Sequence, residues 1–367
     1  MARMTGLPRV AVLLGTAFLS VASPWLLPAS AGPIDERSPE PRPDSANAVR
    51  WLQRAAAAPD RVSYRGTQFV TSWGPQGASS AMLQIVHSAR QGSEITVLGA
   101  GASNGVKAFV QRRDSSARPT VDGGPLSLLT ETYELVDAGS GTAAGRAAVL
   151  VEAWRPDRTL AARFWIDRMT GLLLQRHLFT VDGRSLVRAT VFTDLRIDTS
   201  RSDFIRHLPP MLPDGGGEEM DAGHAPALRA EGWNCADRLT DSLRLYDVHR
   251  DADALRFSYS DGLFNLSVFE QRGDLDPAAV NGYTAVTLPQ GGVVHLRYGM
   301  PSYAVWSSGG IVYTLVGDIP YDVMDRVIRS LPHQPPDDGG PVERVSTGLA
   351  KMSMWLTPVG AFAGRLG

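Results

Sequence analysis

Seven histidines, one cysteine and a scatter of carboxylates are the residues from which this chain could build chemistry. The histidines stand at 87, 177, 207, 224, 249, 295 and 333. None pairs with another at the spacing that puts two imidazoles on one helical face, and no His-Glu-x-x-His run exists, so no metal site is expected. No Gly-x-Ser-x-Gly elbow is present to hold a nucleophilic serine. Asp167, Asp182 and Asp194 fall at turns and strand ends, where a carboxylate caps backbone N–H groups more often than it moves protons. The single Cys235 lies beside Trp233 and reads as a small buried side chain. His87 and His177 lie in strand-like segments, where a satisfied structural imidazole is the usual outcome. No catalytic residue, cofactor or metal is therefore expected.

The aromatic residues point instead to apolar contact. Phe69, Trp73, Trp154, Phe164, Trp165, Phe179 and Phe192 all fall between residues 69 and 192. They are the candidates for an apolar cavity or a partner surface, with core packing as the commoner role of each taken singly. Strand alternation puts Phe164 and Trp165 on opposite faces, so only one of the two can line a cavity.

The elements that must position them are short strands. From Ala144 to Asp198 each apolar run is bounded by Gly, Asp or Pro, the pattern of successive antiparallel strands. Arg163 to Asp167 predicts one strand, turned by Met169-Thr170-Gly171. Leu172 to Thr180 predicts the next, turned by Asp182-Gly183, and Leu186 to Ile197 a third. Upstream, Asn47 to Ala58 predicts a helix with Val49, Leu52 and Ala56 on one face, stopped by Pro59. Arg61 to Ser72, Ala81 to Ala89, Ile95 to Gly99 and Val106 to Gln111 predict strands. Leu126 to Leu135 fits helix or strand, and Ala138 to Gly145 reads as a turn. Arg155-Pro156-Asp157-Arg158 reads as a loop open to partner contact.

Those same residues resemble the N-terminal domain of the RseB/MucB family of sigma-E regulators. The resemblance rests on Ala144-Gly145-Arg146, Arg155-Pro156-Asp157-Arg158, the run Phe164-Trp165-Ile166-Asp167 followed by Thr170-Gly171-Leu172, and Val191 to Ile197. Val62 to Thr67 and Ile85-Val86-His87 extend it upstream, so it covers residues 46–198. It implies a half-open, lipoprotein-carrier-like (LolA/LolB-like) barrel followed by a smaller C-terminal domain. It also implies binding to the extracytoplasmic part of a membrane anti-sigma factor, which is thereby shielded from proteolysis.

At 367 residues the chain is long enough for two domains. Its 43% hydrophobic content suffices for packed cores, and a formal charge of −2 offers nothing to nucleic acid. Residues 1–31 read as a signal peptide: Arg3 and Arg9 precede an apolar stretch from Val10 to Ala22, and Ala29-Ser30-Ala31 fits a cleavage site. No cysteine follows to carry a lipid anchor, and no later segment is long and apolar enough to span a bilayer. Residues 32–45 read as a disordered leader, 46–198 as the first domain and 199–230, with its prolines and triple glycine, as a linker.

Residues 231–332 read as a second, β-rich domain with a helix from Pro320 to Ser330 packed on one side. Its segment Tyr259 to Glu270 is also similar to the C-terminal domain of that family. Residues 333–367 read as linker and tail, with Val345, Leu349, Met352, Trp355 and Leu356 on one face of a tail helix. The fold class expected is mainly β with few helices (α+β). The resemblance makes the function that of an exported, non-enzymatic regulator on the periplasmic or extracytoplasmic side, its partner an anti-sigma factor and its second ligand a lipid or acylated peptide. A lipid or lipoprotein carrier is the alternative, since one sheet serves both.

Overall fold

The computed structural model describes residues 45–75, 77–89, 92–100, 108–112, 125–198, 218–220, 222–251, 254–289, 291–299, 301–334 and 344–345. The expected signal peptide, the expected leader up to Asp44 and the expected tail beyond Val345 lie outside these residues. Two nine-stranded sheets carry the fold, and no strand of one pairs with a strand of the other.

The chain enters through helix α1 (Ser45–Ala56) and a single 3-10 turn at Ala58–Asp60. Ala48, Leu52 and Ala55 recur at the helical period and are buried, so the buried face is rotated from the one expected through Val49 and Ala56. Strands β1 (Ser63–Gly74), β2 (Gly77–Ser88), β3 (Gly92–Ala100) and β4 (Ala108–Arg112) follow. Helix α2 (Pro125–Thr132) then leads to β5 (Glu134–Ala143), which settles Leu126 to Leu135 as helix followed by strand. Strands β6 (Arg146–Trp154), β7 (Leu160–Asp167), β8 (Leu173–Phe179) and β9 (Leu186–Asp198) complete an antiparallel sheet of order β4-β3-β2-β1-β9-β8-β7-β6-β5. Its edge strands do not meet, so the sheet is half-open.

Ala138 to Gly145 is not the turn expected. Gly139, at φ 99°, forms a bulge and donates its N–H to Asp137 Oδ1 at 2.9 Å, and the strand runs on. The turn shrinks to Ala144-Gly145, both at positive φ, as a two-residue hairpin requires.

In the second sheet, β10 (Glu218–Met220) is followed by a 3-10 turn at Ala222–His224 and helix α3 (Ala225–Ala230). These residues were expected to be linker. Ala225 and Leu228 are buried in the main core, and β10 pairs with a central strand, so they are part of the sheet's body. Then come β11 (Arg238–Leu239), β12 (Leu243–Asp251), β13 (Ala254–Ser260), β14 (Asn265–Arg272) and β15 (Asp274–Leu275). After these follow β16 (Thr284–Thr287), β17 (Val293–Arg297), β18 (Ser302–Ser308) and β19 (Ile311–Gly317). Helix α4 (Tyr321–Ser330) packs Met324, Val327 and Ile328 into the core, with Leu331 buried just past its end, while Asp322–Arg326 and Asp325–Arg329 pair one turn apart outside. Of the expected tail helix only Arg344–Val345 is described, and there the chain is a strand, β20, parallel to β15.

The resemblance motifs hold one corner of the first sheet together. Arg146 forks onto both oxygens of Asp167, at 3.1 and 3.0 Å. Asp167 also accepts the backbone N–H of Thr170 at 3.0 Å, and Gly171 closes the turn at φ 84°. Burial alone would raise the Asp167 carboxyl, but Arg146 and Thr170 overcome it and hold it below its ordinary value. Arg155 likewise spends its guanidinium on the carbonyls of Leu160, Phe179 and Val181, tying two turns together.

Candidate functional site

Register divides the seven aromatic candidates between the two faces of the first sheet. Phe69, Val191, Gln175 and Trp165 form one row across β1, β9, β8 and β7. The adjacent row is Val70, Thr190, Arg176 and Phe164. Side chains of neighbouring rows point to opposite faces. Phe164 is fully buried and Phe192 nearly so, and both belong to the core. Trp165 lies on the other face with Trp154 and Phe179.

That other face carries a compact polar and aromatic network. Glu152 accepts from Arg163 Nε at 2.8 Å and from Trp154 Nε1 at 3.2 Å. The Arg163 guanidinium stands 5.8 Å from the Phe179 ring, and His177 meets the edge of Trp165 at 4.8 Å. Gln175 is 2.9 Å from His177 Nε2. Burial, with Arg163 adding to it, pushes the His177 imidazole down to about 4, so it is neutral at pH 7. His87 is bound at both ring nitrogens, by Ser93 Oγ and by the Pro59 carbonyl, each at 2.7 Å. Both histidines are thus structural. Phe69 and Trp73, at 37% and 40% exposure, are offered to solvent, with Met82 paired opposite Phe69 and also exposed.

The sequence pointed less clearly to the seam between the sheets. The β13–β14 turn enters the core face of the first sheet. Asp261 is buried there, accepting the Tyr133 hydroxyl at 2.8 Å and the N–H groups of Leu263 and Phe264 at 2.9 and 2.8 Å. Arg176, fully enclosed and pushed down to about 10 by burial, donates to the Leu263 carbonyl and is drawn to the Asp261 charge. Arg188 pairs with Asp318, and Arg244 with Glu131 at 2.6 Å. Beside Arg188 and Asp318 opens a cleft of about 180 Å³, walled by Trp73, Phe264, Tyr298 and Tyr321. Of the seven aromatic candidates only Trp73 lines it.

These seam residues did leave a signal. Arg176 alternates with Leu174 and Leu178, so an inward phase is written around a charged residue. Such a residue needs a partner from elsewhere in the chain. Cys235 is buried as expected, and burial raises its thiol to about 11, so it is held as the unreactive thiol. Among the described residues no group of three or more metal-ligating side chains comes together.

Fold and site define a mainly β protein in which a half-open antiparallel sheet is clasped by a second sheet through a buried polar turn. Residues 103–212 match the model of the MucB/RseB N-terminal domain, and the resemblance to the RseB/MucB family is thereby shown for that stretch. The match begins later and ends later than the span read from the sequence. Among solved structures, MucB in complex with MucA(peri) is 20% identical, covering 79% of this chain and 99% of its own, with a TM-score of 0.45. The MucA/MucB complex of Pseudomonas aeruginosa gives the same values. A putative outer membrane lipoprotein-sorting protein domain of Vibrio parahaemolyticus is 12% identical, covering 43% and 95%, with a TM-score of 0.20. No curated protein matches the chain.

Proposed function

We propose that this chain is an exported, non-enzymatic regulator that binds the extracytoplasmic part of a membrane anti-sigma factor and limits its proteolysis. The observation that carries the reading is the MucB/RseB N-terminal domain match over residues 103–212. The signal-peptide pattern of residues 1–31 supports export, and no described helix is long and apolar enough to cross a membrane. Phe69, Trp73 and Met82 are exposed apolar side chains on the paired strands β1 and β2, free to meet a partner, while Phe164 and Phe192 are spent on the core.

The carrier reading has less support. Leu263 and Phe264 of the second sheet belong to the same apolar cluster as Phe164 and Leu178 of the first. The interior of the half-open sheet is therefore shared with this chain's own turn.

The test is a pull-down with the chain from Gly32 to Gly367 on solubilised membranes, with mass spectrometry of proteins and lipids. Recovery of a single-span anti-sigma factor, and slower cleavage of that factor when the chain is added, supports the regulator. Recovery of lipid or acylated peptide without a membrane protein overturns it in favour of the carrier.

A further inference from the structure

We propose that the turn Asp261–Phe264 is a displaceable latch, whose withdrawal parts the two sheets as intact bodies and uncovers the socket formed by α2, Tyr133 and Arg176. Most of the turn's bonds are internal to it: Ser260 Oγ donates to the Phe264 carbonyl at 2.8 Å, and Gly262 N–H donates to Ser260 Oγ at 2.9 Å. Leu263 and Phe264 donate to Asp261 Oδ1. These survive withdrawal, so the turn leaves and returns already shaped.

Among the described residues, four bonds that join the two sheets are made by charged groups. They are Tyr133 to Asp261, Arg176 to the Leu263 carbonyl, Arg188 with Asp318, and Arg244 with Glu131. Two of the cations belong to the first sheet, and both of their acidic neighbours, Asp261 and Asp318, to the second. Water replaces these polar partners once the turn withdraws, while Leu263 and Phe264, which share one apolar cluster with Phe164 and Leu178, carry the cost of parting the sheets. Neither sheet lends a strand to the other, so separation breaks no strand ladder.

The seating also depends on a single residue. Gly262 has φ 90°, and a Cβ there would fall 2.3 Å from the backbone nitrogen of Leu129 and 2.4 Å from its Cα. That is backbone of α2, which a rotamer change cannot clear. Gly262→Ala therefore tests the latch at its point of closest approach to α2, outside the strands of either sheet.

The measurement is hydrogen–deuterium exchange on the full chain, for the wild type, Gly262→Ala and Tyr133→Phe. Expected in Gly262→Ala is exchange at least tenfold faster in α2 and in the turn, with β7, β8, β14 and β19 still protected. Tyr133→Phe gives the same pattern more weakly, and it decides the matter if Gly262→Ala does not fold. Faster exchange spread through both sheets overturns the latch, because the chain then opens as one cooperative body. Unchanged exchange in α2 overturns it as well.

Discussion

Asp261 and Glu270 lie on the same hairpin, both buried, and the fold treats them in opposite ways. Asp261 sits at the tip and is surrounded by donors: a tyrosine hydroxyl, two backbone N–H groups and a neighbouring guanidinium. Glu270 sits in the strand and accepts one bond, from the Asn234 backbone at 2.8 Å, while its Oε1 has no hydrogen-bond partner among the described residues. Burial raises both carboxyls above their ordinary values, Glu270 to about 7. The difference is in what depends on them. Asp261 joins two sheets, whereas Glu270 serves one loop. Burial by itself therefore does not mark a group as important; the number of partners it would orphan does.

The largest effect expected is at the tip. Asp261→Ala strips the Tyr133 hydroxyl and two backbone N–H groups of their acceptor and leaves Arg176 without its neighbouring negative charge. The loss is expected to be about 3 kcal/mol or more, the range for breaking a buried pair from one side. A urea titration at pH 7 checks it, and a loss below about 1 kcal/mol would mean that the turn is already hydrated.

Glu270 sharpens the contrast through pH. Its folded value near 7 lies above the ordinary 4.5, so between those limits the folded state keeps a proton that the unfolded state has lost. Stability from this group is present in full below pH 4.5 and declines as pH rises through 7, by about 3 kcal/mol. In Glu270→Gln the amide stays neutral, so the variant gains on the wild type as pH rises. Denaturant midpoints of the two proteins across pH 4 to 8 test this; parallel curves would show that Glu270 is hydrated in the fold.

His177 gives the opposite slope and a smaller one. Its folded value near 4 lies below the ordinary 6.5, so the unfolded state binds the extra proton. Stability then falls as pH drops from 6.5 towards 4. Because the ring is only part-buried, about 1 kcal/mol is the expected size once solvent screening is allowed for. His177→Gln removes that slope, and a variant that keeps it would assign the slope to another group.

How far the sequence carries this picture follows from which interactions are local. The meander from β6 to β9 was legible because its turns are encoded in adjacent residues: Asp167 with Thr170, Asp182 with Gly183. Helix α4 was legible by period. The bulge at Gly139 was not, since a glycine inside a strand and a glycine in a turn look alike until the partner strand is known. The structured stretch from Glu218 to Ala230 was hidden by the glycines and prolines just before it. The seam was the least legible part. Asp261-Gly262 has the composition of an ordinary hairpin turn, and only the approach of Leu129, distant in sequence, makes that glycine indispensable. The aromatic set shows the same limit: alternation separates Phe164 from Trp165, but which face the core takes depends on α1 and α2.

The smallest effect on stability, and the most telling on function, is expected at Trp73. It stands at the far end of β1, 40% exposed, on the wall of the cleft between the sheets. Truncating an exposed side chain removes little packing, so Trp73→Ala should change the unfolding midpoint by under about 0.5 kcal/mol. An aromatic side chain at a protein interface is often where binding energy concentrates. If the partner docks on this end of the first sheet, Trp73→Ala weakens capture of the anti-sigma segment about tenfold or more while the fold stays intact. Titration of labelled partner against wild type and variant measures this, with Asp261→Ala run alongside. Weakened binding in Trp73→Ala at unchanged stability would place the contact on the exposed aromatic end; equal binding would move the search to the opposite edge, along β5.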